Sequence, residues 1–426
     1  MFRISAAFAV LVSLPGPVFA LPPESSSLTL DEAVARVAAA HPALRLYDRQ
    51  RERLDAERDE AVFRPPLRML ADVENAIGTG DHAGIRRAEV SLSLSSVLER
   101  GGKREARQLL ASARIDALAL EREARRLDLL AEVARRYLDL ADAQARKAIA
   151  EEGIALRERT VQVARQRHRI GGAPESSALA AEAAVVRAQL AHERASVDAG
   201  AAWRRLALLW RGTDRDDPPA TVGVITQLPD IPAVDSLLTL IDTTPALQRF
   251  ADEARVREAR LRLAETRRTP DIDWQVGVRR LQAEGDVALV AAIGIPLGSR
   301  ARAETGVRAA RAELAALSIE REVEDVALRA ALLEAHGRYV GARSDVQRID
   351  SELMPLLRRT EQAAEVAFRA GALPWLEWAQ VQADIVSLQN ERLASALDAR
   401  RALIEIQRLT AQPFIVEAEG ATGVTP

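Results

Sequence analysis

The chain has 426 residues and no cysteine, and among its 59 basic residues only Lys103 and Lys147 are lysine. Without cysteine there is no disulfide, no thiolate metal ligand and no cysteine-linked lipid anchor. Aromatic residues make up only 4% of the chain. Past residue 20 there is no run of about 18 apolar residues, which excludes a membrane-spanning helix in that part of the chain. A formal net charge of −3 excludes nucleic-acid binding by bulk charge. No glycine-rich phosphate loop, GxSxG or HExxH pattern occurs. The five histidines (His41, His82, His168, His192, His336) never pair at metal-ligand spacing. An enzyme, a bound cofactor and a resident metal are therefore not expected.

The most informative absence is local. From Lys103 to about Ile170 there is no proline, and Gly153 is the only glycine. Ala106, Leu110, Ala113, Ala117, Leu120 and Ala124 begin an a/d seam that continues through Leu127, Ala131, Ala134, Leu138, Ala141 and Ala145 to Ala148. Most of it is alanine, the best helix former, which lets neighbouring helices approach closely. Leu130, Val133, Tyr137 and Leu140 form a second apolar line, so this helix needs neighbours on two sides. Some 66 residues at about 1.5 Å each span roughly 100 Å, the length of a tube or coiled coil rather than of a compact domain.

Residues 1–20 have the pattern of an export signal, with Arg3, an apolar Ile4–Leu14 stretch, a break at Pro15–Pro17 and Val18-Phe19-Ala20 before cleavage. The mature chain then reads as a tandem duplication. The first unit covers 21–212, with strands at about 67–77 and 88–98 and long helices at about 103–170 and 174–211. A linker follows over 213–232. The second unit covers 233–412, with strands at about 271–281 and 286–296 and helices at about 301–370 and 374–410. A tail occupies 413–426. Thr244-Pro245-Ala246-Leu247 echoes His41-Pro42-Ala43-Leu44, and Arg369 to Pro374 echoes Arg169 to Pro174.

The strands alternate strictly. Val90, Leu92 and Leu94 oppose Ser91, Ser93 and Ser95, and Arg68, Asp72 and Glu74 give the first strand a polar face. On the last strand Ala288, Val290, Ala292 and Gly294 make the corresponding face small and apolar. The alternation fits an antiparallel sheet in a soluble domain. It also fits membrane strands of about ten residues, which must close into a barrel. One chain supplies four strands and small barrels start at about eight, so two or more copies must combine.

The duplicated layout, the Pro-Ala-Leu starts and the RxGxxP tips resemble the TolC family of outer-membrane efflux ducts across the mature chain. Leu98-Glu99-Arg100-Gly101-Gly102-Lys103-Arg104, with Arg107, is similar to the segment entering the long helix in the CzcC-type heavy-metal branch. The resemblance implies a mainly α protein with a transmembrane β-barrel portion. Three copies would form a 12-strand barrel in outer-membrane lipid of a Gram-negative bacterium and a 12-helix periplasmic tunnel. It further implies a passive duct for heavy-metal cations, served by a periplasmic adaptor and a resistance-nodulation-division pump. Drug efflux and type I protein secretion use similar ducts. A soluble periplasmic coiled-coil scaffold is the alternative of another class.

By that resemblance Arg169, Gly171, Gly172, Arg369, Gly371 and Ala372 form adaptor-contact tips, although glycines there also serve simple chain reversal. Glu361, Glu365 and Arg358 are candidates for a periplasmic gate, against the alternative of a solvated helix face. His168, at a tip, is a candidate pH-responsive group.

Overall fold

A computed structural model describes residues 27–212, 217–223 and 225–414. The expected export signal and most of the C-terminal tail lie outside these residues.

The chain enters with β1 (Ser27–Leu28) and α1 (Leu30–Ala40). Thr29 and Glu32 cap α1 reciprocally, each side chain accepting the other's backbone N–H, at 3.1 and 3.3 Å. His41 opens α2 (Pro42–Val62), its Nδ1 accepting the Ala43 N–H at 3.2 Å. Pro42 occupies the first turn, where no N–H is needed.

β2 (Arg68–Glu74) and β3 (Glu89–Leu98) form the first hairpin. β2 is shorter than the expected 67–77. Asn75 and Ile77 take positive φ values of 54° and 59°, which ends the extended run. The 67-residue α3 (Lys103–Arg169) follows, then α4 (Glu175–Ala207). α4 stops before the expected residue 211 because its last turn tightens into a 3-10 turn, Leu208–Trp210, and Arg211 turns left-handed at φ 61°.

The segment expected to be a linker in the equatorial region of the helices over 213–232 contains β4 (Ala220–Thr221), which pairs in parallel with β1. Side chains on α3 hold it there. Gln144 donates to Pro219 O at 2.8 Å and accepts the Thr221 N–H at 3.0 Å. The Tyr137 hydroxyl accepts the Val222 N–H at 3.0 Å and lies 2.8 Å from Leu28 O.

The second half runs α5 (Val234–Ile241), α6 (Pro245–Thr266), β5 (Ile272–Leu281) and β6 (Asp286–Gly294). β6 ends before the expected 296, since Pro296 has no N–H to give to a ladder. The expected single helix over 301–370 is three pieces. α7 (Ser299–Arg348) passes through a π turn at Ile349–Leu353 into α8 (Met354–Ala370). Pro355 explains the break: its ring would clash with the carbonyl four residues back, and a wider turn relieves that clash. α9 (Trp375–Thr410) returns.

The two hairpins join into one antiparallel sheet of order β2-β3-β5-β6, with β2 and β6 each unpaired on one side. The core lies where the long helices pass β1 and β4. Tyr137, Leu138, Leu140, Trp203 and Leu206 pack there with Leu28 and Val37. Leu237, Ile241, Leu332, Tyr339 and Leu403 form a matching cluster in the second half.

α3 packs against α4 on one side and α9 on the other, and α9 packs against α7. Nearer the sheet α6 packs between α3 and α7, and α2 packs on α3, so α7 is one edge of the chain and α4 is the other edge towards the tips. Leu179, Val186, Leu190 and Val197 stand exposed on α4 at spacings of seven, four and seven. Ile319, Val323, Val326, Leu333 and Val340 stand exposed on α7 at four, three, seven and seven. Both are coiled-coil seams without an occupant. Among the described residues no helix is long and apolar enough to cross a membrane.

Candidate functional site

The sheet is the first part of the site. Its register places Ser91 opposite Asp72 and Arg279, and Ser93 opposite Leu70 and Gly277. Arg68, Asp72, Glu74, Glu89, Ser91, Ser93, Ser95, Gln275 and Arg279 therefore share one face, and only Ser96 and Arg280 are polar on the other. Arg279 organises it, donating to Ser91 Oγ at 2.9 Å and Glu89 at 2.9 Å and lying 3.2 Å from a Glu74 oxygen. Gln275 donates to Ser93 Oγ at 2.7 Å. Burial is inverted relative to a soluble sheet: Ser93 and Ser91 are 4% and 6% exposed, whereas Leu289 and Ile293 are 77% and 75% exposed. Gly277 permits this packing, because a Cβ there would lie 2.5 Å from Leu92 O.

The junction between sheet and helix uses the residues on which the branch resemblance rests. Asp271 accepts from the Arg100 N–H at 3.1 Å and sits 2.7 Å from Lys103 Nζ. Glu99 takes Arg107 in a two-point contact at 2.5 and 2.8 Å, which stabilises the charged guanidinium and raises its pKa. Gly101, at φ +75°, has Thr269 against it, where a Cβ would lie 2.7 Å from the Thr269 Cβ. These residues thus serve as a brace between the two halves.

At the other end both helical hairpins close in the same way. Gly171 and Gly172 donate to His168 O and Arg167 O at 2.9 and 2.8 Å, and Gly371 and Ala372 to Phe368 O and Ala367 O at 3.1 and 2.9 Å. This is the Schellman pairing, and it requires the left-handed φ of +74° at Gly171 and +84° at Gly371. Arg169 is exposed at the first tip, and Arg369 pairs with Glu365 one turn back at 2.5 Å. Glu361 faces the Trp378 indole N–H at 3.4 Å. Arg358 lies further up, lining a cavity of about 890 Å³ with Asp350, Gln389 and the linker residues Thr221 and Ile225. The three gate candidates are thus spread along α8 rather than gathered.

Arg167 joins the two tips. It donates to Phe368 O and to Gly172 O, both at 2.6 Å, and its guanidinium lies 4.9 Å from the Phe368 ring centre. Phe368 in turn packs on Trp378 at 5.1 Å. Nothing in the sequence marks this contact, since the two residues are 201 positions apart and half of it is made to backbone oxygens. His168 Nδ1 lies 3.2 Å from Ala173 O within its own tip. Among the described residues no group of three or more His, Asp or Glu is placed to hold a metal ion.

Residues 28–211 match the model of the family described as Outer membrane efflux protein. The nickel-cobalt-cadmium resistance protein NccC of Alcaligenes xylosoxydans xylosoxydans is 28% identical over 62% of this chain, and the match covers 58% of that protein's length. The cobalt-zinc-cadmium resistance protein CzcC of Cupriavidus metallidurans is 24% identical over 73% of this chain and 74% of its own. In fold, the chain is similar to the crystal structure of CusC, a protein described as forming a transmembrane channel. The TM-score is 0.75 at 15% identity, over 90% of this chain and 92% of that one. The match to the outer membrane efflux protein model thus spans the first half of the chain, residues 28–211, while the similarity in fold to CusC extends along nine-tenths of it.

Proposed function

We propose that the chain is the outer-membrane duct of a tripartite heavy-metal efflux system in a Gram-negative bacterium. The observation that carries this reading is the inverted sheet, with serines shielded, leucine and isoleucine exposed and both edges unpaired. An apolar exposed face suits lipid, and lipid does not tolerate open edges. Three copies supply twelve strands, and their polar faces line a wet pore. The same closure seats the unpaired seam of α4 against a neighbour's α7–α8 edge and makes a ring of twelve helices below the membrane.

In this reading the duct conducts passively and performs no catalysis. The inner-membrane pump, of the resistance-nodulation-division type, supplies the energy. The tips at Arg169, Gly171, Gly172, Arg369, Gly371 and Ala372 meet the periplasmic adaptor. The Arg167–Phe368 contact holds each pair of tips together, with Glu361 and Glu365 close by at the mouth and Arg358 higher on the same helix. The metal cargo is supported by the names of the two relatives and not by any ligand cluster. A duct passes ions without binding them.

Deleting the gene and measuring tolerance to nickel, cobalt, zinc and cadmium beside organic toxins tests the cargo. Lost metal tolerance is expected, and lost drug tolerance with intact metal tolerance would overturn it. Purification tests the architecture: a detergent-requiring trimer with single-channel conductance is expected, and a water-soluble monomer would exclude it.

A further inference from the structure

Two consecutive arginines on β5 have opposite surroundings. Arg279 points to the polar face, where Glu74 and Glu89 neutralise it. Arg280 belongs to the apolar face, in register with Val90 on one side and Val287 on the other. The other residues of that face on the four strands are uncharged, and Arg280 is exposed and joins no ion pair among the described residues. What sets Arg280 apart is its place: it is the one charge on a face otherwise made of uncharged residues, while its neighbour Arg279 has two carboxylates on the other face.

Its height points to its partner. The face begins near the helices with Leu98 and Ile272, and the next row is Ser96, Trp274 and Ile293. Six residues further along β5 comes the row of Arg280, next to the turn at 282–285 and away from the helices. At about 3.4 Å per residue these rows are roughly 20 Å apart, which is the scale of the apolar band of a membrane barrel. Trp274 sits at one border, as interfacial aromatics do, and Arg280 at the other.

We infer that Arg280 binds phosphate-bearing lipid headgroups at the outward border of the sheet's apolar face. The inference rests on the duct reading. Its aliphatic stem lies along the apolar row while the guanidinium takes a phosphate in two-point contact. A ring of three copies carries three such cations at one height.

The test uses the purified, detergent-solubilised full chain and its Arg280→Gln and Arg280→Lys variants. Native mass spectrometry measures retention of phosphorylated lipid A, dephosphorylated lipid A and inorganic phosphate. Wild type is expected to prefer the phosphorylated lipid, and Arg280→Gln to lose about fivefold of that preference per site. Arg280→Lys keeps most of it. Equal preference in wild type and Arg280→Gln overturns the inference, as does displacement of the lipid by inorganic phosphate at matching concentration. Single-channel conductance is recorded on the same samples. A conducting wild type without headgroup preference sinks the assignment of Arg280 alone, whereas a wild type that neither assembles nor conducts sinks the duct.

Discussion

Arg167 and Phe368 are bound twice over: the guanidinium donates to the Phe368 carbonyl at 2.6 Å and lies 4.9 Å from its ring centre. The pair ties the α3–α4 tip to the α8–α9 tip. A charge-assisted hydrogen bond and a cation–π contact together are worth about 2 kcal/mol at a partly exposed site. Arg167→Ala is expected to loosen the tips, raising single-channel conductance and admitting larger solutes from the periplasmic side. Unchanged conductance in a folded trimer would show that the pair does not restrain the mouth.

Gly277 faces Ser93 across the β3–β5 ladder, with backbone on the side where a Cβ would point. Gly277→Val therefore forces β3 and β5 apart. Overpacking of this kind costs about 1–3 kcal/mol, and here it falls on the seam that joins the two halves. Loss of the trimer on a heat-modification gel is expected, with helical content by circular dichroism largely kept.

The edge seams predict assembly. Val323 on α7 and Val186 on α4 are exposed in one chain, at 64% and 54%. A glutamate at either position leaves the single chain undisturbed but places a charge in a buried seam once the ring closes. Val323→Glu and Val186→Glu are each expected to shift purified material from trimer to monomer by size-exclusion with light scattering. Retention of the trimer by both variants would mean that these faces are not the contact.

His41 predicts a pH dependence. Burial first, then the charge of Arg125, lowers its pKa, so the fold favours the neutral ring that caps α2. Its contribution is full above the unfolded value of about 6.5 and is lost as pH falls through the lowered folded value. His41→Ala is expected to cost about 1 kcal/mol at pH 7. His41→Asn keeps a cap acceptor without a titrating ring, so its melting temperature should fall less than wild type's between pH 7 and pH 5.

Local periodicity makes part of this architecture legible in the sequence. Strict alternation over Glu89–Leu98 and the alanine seam of α3 need only near neighbours to be read. The glycines of both tips are legible for the same reason, because a left-handed residue after a helix is a local demand. Contacts made by backbone groups or across the duplication are not legible. Asp271 reaching Arg100 and Lys103, and Arg167 reaching Phe368, join residues about 170 and 200 positions apart. The β1–β4 pair is two residues long, too short for any pattern. Pro355 is plain to see, but a proline in a helix predicts only a disturbance. That it produces a π turn within a nearly continuous rod depends on the packing of Ile349 and Met354 with Leu388.

That π turn has a mechanical consequence. α3 is regular from end to end, whereas the rod formed by α7 and α8 carries a wide, weakly bonded turn at Ile349–Leu353. In the proposed ring of three chains and twelve helices, one of the four rods from each chain would carry such a turn. Bending strain in such a ring would collect at three points of the circumference, and the rim would deform as a triangle instead of dilating as a circle.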